Sequence, residues 1–131
     1  MFSSLLYYNL GEGVTAFSTM RGAELPFPVV QAHQVHGDVI AYVGSADVTR
    51  DDLEGIDALT TDVPGVAIGA RTADCVPVLL YDAVLRAVCA VHAGWKGTVL
   101  RITSKAVEYM TSRYGTNPCD IRAVIGPSIG P

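Results

Sequence analysis

Long hydrophobic runs, an even set of cysteines and an excess of positive charge are all missing from this 131-residue chain. No apolar stretch approaches the ~20 residues that cross a bilayer. Met1–Leu10 also lacks the basic segment, long apolar stretch and small-residue cleavage site of a signal peptide. No membrane partner is expected. With 9 basic against 13 acidic residues, the formal net charge is −4, so no broad cationic surface is available for nucleic acid. Cysteine is scarce: Cys75, Cys89 and Cys119 are odd in number and widely spaced. That suits a reducing cytoplasm better than a disulfide framework. The paired-cysteine knuckle of a zinc finger is absent, as are the His-x-Glu and Pro-Cys-x-x-Cys signatures of the common zinc deaminases. No Walker or dinucleotide loop occurs either.

What is present reads as one folded domain. Half the residues are hydrophobic and 17% are charged, which excludes disorder. A chain of this length buries roughly two-thirds of its unfolded surface. Val14–Ser18 alternates weakly and predicts a strand. Two prolines keep Glu24–Pro28 out of helices and central strands. Val29–Val35 and Val39–Val43 read as strands around His36-Gly37-Asp38. Val48–Gly55 reads as a charged loop, and Asp57–Thr61 as a lead into a turn at Pro64-Gly65. Val66–Ala70, Val76–Tyr81 and Arg86–His92 are short apolar runs, with Tyr81–Leu85 long enough for a hairpin connection. Their near-continuous apolarity predicts strands covered on both faces. One helix is plain: Val99, Ile102, Ala106, Val107, Met110 and Tyr114 recur at helical spacing, with Gly115 as its stop. Ile121–Ile125 reads as a last strand.

The chemistry concentrates in two histidines and a cysteine. His36 lies in Gln34-Val35-His36-Gly37-Asp38, Cys75 in Thr72-Ala73-Asp74-Cys75-Val76-Pro77, and His92 in Val91-His92-Ala93-Gly94-Trp95-Lys96-Gly97. Two imidazoles and a thiolate fill three of the four positions of a zinc ion, and a catalytic zinc leaves the fourth to water or substrate. His36 is preferred over His33 because a two-residue period sends His33 to the opposite face. His92 closes a buried-type strand just before a helix start, where first-turn amides receive anions. Its plainer role is a histidine bonded to a carbonyl, and that alternative stays open. Asp74, a carboxylate between two apolar strands, needs a partner such as the second nitrogen of a ligand imidazole or a backbone turn. Cys89 sits in an apolar run and reads as a core residue.

Together, Gln-Val-His-Gly-Asp, Thr-Ala-Asp-Cys-Val-Pro, His-Ala-Gly-Trp-Lys-Gly and Ile-Gly-Pro-Ser-Ile-Gly-Pro resemble one family. It goes under the names laccase-domain, multicopper polyphenol oxidase and purine nucleoside phosphorylase, and groups with cytotoxic-necrotizing-factor-like hydrolases. The motifs run in the family's order from Val14 to Pro131. The resemblance implies an α+β fold, a layered sandwich with mixed β-sheets, and a zinc held by His36, Cys75 and His92. It also implies adenosine deamination and phosphorolysis of adenosine, inosine or methylthioadenosine. Some bacterial members are linked instead to peptidoglycan-precursor editing. Copper is disfavoured, because three histidines in the whole chain are too few for a multicopper site. Family members usually have a longer segment after the region matching Phe17–Gly22 and continue past Gly-Pro-Ser-Ile-Gly-Pro. A single domain over residues 1–131, shortened after Gly22 and at the C-terminus, is therefore expected, with exposed sheet edges open to self-association.

On this expectation the catalytic set is His36, Cys75, His92 and Asp74. Arg21, Arg71 and Lys96 contact phosphate or substrate, and Asp74 or Asp38 orients a ligand imidazole or acts as general base. The partners are a nucleoside and phosphate. Two alternatives compete: a Cys–His hydrolase or amidase with Cys75 as nucleophile and His92 as base, and a non-catalytic metal-binding fragment.

Overall fold

A computed structural model of the protein describes residues 5–19, 28–32, 34, 39–70, 76–93 and 96–125. It is an α+β sandwich of three layers. A two-stranded ribbon pairs β1 (Leu5–Tyr8) with β2 (Ala16–Thr19). A five-stranded mixed sheet contains β3 (Ile40–Tyr42), β4 (Ala58–Thr61), β5 (Val76–Asp82), β6 (Ala87–Ala93) and β7 (Ile121–Ile125). Its order is β3-β4-β6-β5-β7, with β3 parallel to β4 and every other pair antiparallel. One helix, α1 (Lys96–Tyr114), covers one face.

Strand alternation explains the layering. Val78 and Leu80 of β5, with Ala87, Cys89 and Val91 of β6, meet Ile102, Ala106 and Met110 of α1. The residues between them point the other way, and Leu79, Tyr81 and Val88 pack with Leu10 and Ala16 from the ribbon side. Both faces of the central strands are thus covered, as their unbroken apolarity predicts. Full burial of a side chain such as Ile102 or Met110 contributes about 1.5–3 kcal/mol. Two polar ties fasten the ribbon side: the Tyr81 hydroxyl donates to Glu12 O at 2.8 Å, and Arg122 Nη1 donates to Leu10 O at 3.2 Å.

The β5–β6 hairpin turns through residues 83–86, and buried Asp82 organises it by accepting from the amides of Val84 (2.9 Å) and Leu85 (3.1 Å). α1 stops where expected. Gly115 takes φ +78°, a left-handed value suited to glycine, and its amide donates to Thr111 O at 3.0 Å. At the same end, Arg113 lies 3.7 Å from the centroid of the Tyr42 ring, and the Tyr42 hydroxyl donates to Asp62 at 2.7 Å. Thr60 Oγ1 donates to Val88 O at 2.6 Å; the Tyr114 hydroxyl, 3.0 Å away, therefore donates to Thr60.

Several expectations change. Asp57–Thr61 does not merely lead into a turn: Ala58–Thr61 is the buried strand β4, lying between β3 and β6. Of the two strands expected at Val29–Val35 and Val66–Ala70, the described residues retain one parallel bridge, Val30 to Ile68. Val30 and Ala32 are nevertheless buried, so the apolar pattern reported burial rather than a ladder. The close approach relies on Gly69, where an added Cβ would sit 2.9 Å from a Val29 methyl. The charged loop after Val48 contains a single 3-10 turn, Arg50–Leu53, closed by the Asp52 carboxylate accepting from the Thr49 amide at 3.0 Å. β1 carries no strong local signature of its own and is defined by its pairing with β2. Among the described residues no helix is long and apolar enough to cross a membrane.

Candidate active site

His92 stands one residue from the end of β6, and its ring is almost completely buried. Two neighbouring strands hold it. On one side it pairs with Pro77 of β5. On the other, its amide donates to Asp57 O at 2.8 Å, carrying the β4–β6 ladder one residue past Ala58–Val91. Its side chain repeats the contact, with Nδ1 2.7 Å from Asp57 Oδ2. Both side chains are removed from water, at 3% exposure for His92 and 0% for Asp57. A carboxylate is an acceptor only, so the imidazole Nδ1–H donates to Asp57. Burial of either group alone would be costly; the bond offsets that cost for both.

Asp57 is itself positioned from below. Its amide and that of Ala58 both donate to Val39 O, at 3.0 and 3.2 Å. Val39 directly follows the segment His36-Gly37-Asp38 in the chain, and Val76 directly follows Cys75. Val76 pairs with Ala93, the neighbour of His92. The described residues flanking all three sequence-predicted metal ligands therefore converge on one end of the sheet, around the Asp57–His92 pair. His36, Cys75, Asp74, Asp38, Arg21 and Arg71 lie outside the described residues. Lys96 opens α1, four positions after His92.

Among the described residues no three His, Cys, Asp or Glu side chains gather into a metal-holding group. The chemistry of the pair still suits a metal ligand. With Nδ1 donating to a carboxylate, the other ring nitrogen, Nε2, is the basic one, the form in which histidine binds zinc. The cysteines among the described residues behave differently. Cys89 is buried in the helix-facing core, and burial pushes its thiol up to about 12. Cys119 is exposed in a turn capped by Asn117. Neither adds a donor at the His92 end.

Asp57 is the partner of His92 that sequence reasoning missed. The argument applied to Asp74, that a carboxylate beside apolar strands needs a partner, holds equally for Asp57 in Ile56-Asp57-Ala58-Leu59. Reading the stretch as an approach to a turn hid its burial.

The family described as multi-copper polyphenol oxidoreductase laccase matches residues 14–131. The chain belongs to this family. It is 44% identical over 109 residues to a purine nucleoside phosphorylase of Bacteroides thetaiotaomicron, covering 81% of this chain and 40% of that protein. It is 41% identical over 107 residues to an adenosine deaminase from an unknown prokaryotic organism, covering 77% of this chain and 40% of the relative. The chain thus spans about 40% of the length of these two curated relatives. Among solved structures, hypothetical protein YfiH of Bacillus licheniformis superposes with a TM-score of 0.71 at 45% identity, over 79% of this chain and 41% of that one. A Neisseria meningitidis protein superposes with a TM-score of 0.79 over 96% of this chain and 63% of its own; at 23% identity it speaks for the fold alone.

Proposed function

We propose that this chain carries the metal-binding part of a purine-nucleoside enzyme, acting in adenosine deamination and in phosphorolysis of adenosine, inosine or methylthioadenosine. The observation that supports it most is the convergence just described: Val39, Val76 and His92, next to or within the three ligand-bearing motifs, meet at one end of the sheet. The names of the relatives point to the same chemistry. His36, Cys75 and His92 would hold a zinc ion. When bound, zinc supplies Lewis acidity and lowers the pKa of water towards about 7.

The remaining roles fall to the chain's own groups. Buried His92 presents Nε2 while Asp57 occupies Nδ1. Arg21 and Lys96 bring positive charge that holds phosphate near the ribose C1′, with Arg71 as a further anion contact. Asp74 orients a ligand imidazole or holds a proton at its carboxylate, with Asp38 as its competitor. A cytoplasmic setting goes with the reduced cysteines this site needs.

The Asp57–His92 pair also favours a second reading, because a carboxylate that orients a histidine is the supporting half of a Cys–His nucleophile system. There, Cys75 Sγ gives its proton to His92 Nε2 and attacks an amide or ester carbonyl. The C–N or C–O bond breaks as the amine or alcohol takes that proton, and water then hydrolyses the thioester to free Cys75. Metal content separates the two. Elemental analysis of protein purified without chelator should give one zinc per chain, lost in His92→Ala and Cys75→Ala. Turnover of adenosine with and without phosphate is then followed by the appearance of inosine or free base. A folded, metal-free protein whose turnover of amide or ester substrates is abolished by thiol alkylation overturns the zinc reading and supports the hydrolase. A zinc-loaded protein inert towards every nucleoside leaves a metal-binding fragment.

A further inference from the structure

We infer that Asp57 is a positioning residue for His92: it selects the Nδ1–H tautomer, leaves Nε2 as the nitrogen offered to the metal, and links the ligand-bearing segments. The inference rests on the zinc reading above. Its geometry is more specific than one hydrogen bond. Asp57 holds His92 twice, through its carbonyl to the amide at 2.8 Å and through its carboxylate to Nδ1 at 2.7 Å. The first contact fixes the height of His92 along β6, and the second fixes the rotation of its ring. With the carboxylate fully buried, water cannot substitute for it without opening the sheet end.

The Asp57 backbone is also anchored independently of His92. The Asp57 and Ala58 amides converge on Val39 O, the first described residue after the His36 motif. One residue at the start of β4 therefore joins the strand end carrying His92 to the segment leading away from His36. Carboxylate partners of ligand histidines raise ring basicity and hold the ring in line, and their loss typically weakens metal affinity 10–100-fold.

Three measurements test this. Nitrogen-detected NMR of the metal-free protein, with His92 assigned by comparison with His92→Ala, should show the proton on Nδ1 in the unsubstituted protein. Asp57→Ala should shift it towards Nε2, whereas Asp57→Asn, whose amide oxygen still accepts, should keep it on Nδ1. Zinc affinity, read by competition with a chromogenic chelator, should fall about 10–100-fold in Asp57→Ala and less in Asp57→Asn. The visible spectrum of the cobalt(II)-substituted protein should change in the alanine variant and stay close to the parent in the asparagine variant. A merely structural role would lower the melting temperature without moving the proton or the cobalt spectrum, and that result overturns the inference. A proton found on Nε2 of unsubstituted His92 overturns it as well, and needs no variant to fold. If the parent protein takes up no zinc, the proposed function fails, yet the tautomer still decides the role of Asp57.

Discussion

At the scale of single residues, the most consequential contrast is between two buried reactive groups with opposite surroundings. His92 is buried against a carboxylate that gives its ring a defined donor and a defined acceptor nitrogen. Cys89 is buried among apolar side chains between β6 and α1, and desolvation pushes its thiol from 9.0 up to about 12. A raised thiol pKa means that the folded state prefers the neutral form. Its contribution to stability is complete below pH 9 and is lost progressively as pH rises towards 12. Each pH unit in that window costs at most about 1.4 kcal/mol. Urea midpoints measured between pH 8 and 11 should therefore fall with pH, and Cys89→Ala should flatten the decline. An unchanged slope in that variant would locate the alkaline sensitivity elsewhere. Tyr114, whose hydroxyl burial also raises, is the next group to substitute in that case.

At the scale of elements, α1 and the β5–β6 hairpin act as one unit, since each supplies what the other must bury. Met110 has no exposed surface and packs against the helix-facing side chains of the sheet. Met110→Ala should cost about 2–5 kcal/mol, read as a lowered urea midpoint with an unchanged slope. A loss well under 1 kcal/mol would mean that the helix packs loosely on the sheet. These elements were readable in advance because their signals are local. The helical spacing from Val99 to Tyr114, Gly115 as a stop and the turn before Arg86 depend on near neighbours only. β1 was not readable, since an isolated four-residue strand is defined by its partner β2. The apolar pattern around Val30 and Ile68 predicts two strands where the described residues hold one bridge, because burial and ladder formation leave the same apolar trace over a few residues.

At the scale of the whole molecule, the sheet ends in two strands, β3 and β7, that each pair on one side only among the described residues. β7 is the more exposed edge. Ile125 is 66% exposed, and Arg122 and Ala123 also face water. Edges of this kind invite pairing between copies, and a charge on the edge opposes it. We expect the sedimentation coefficient to rise with concentration, and Ile125→Lys to suppress the rise. A monomer at every concentration would remove self-association from this protein's behaviour.

The sequence by itself determined the fold class, most strand and helix positions, the family, and which histidines and cysteine to suspect. Each of these is written in residue type and short-range spacing. Only the tertiary structure decided that β4 lies between β3 and β6, and that Asp57 meets His92 across 35 residues of chain. No spacing rule could supply that pairing. It follows from the register of two antiparallel strands, and register is set by which faces the whole sheet must bury.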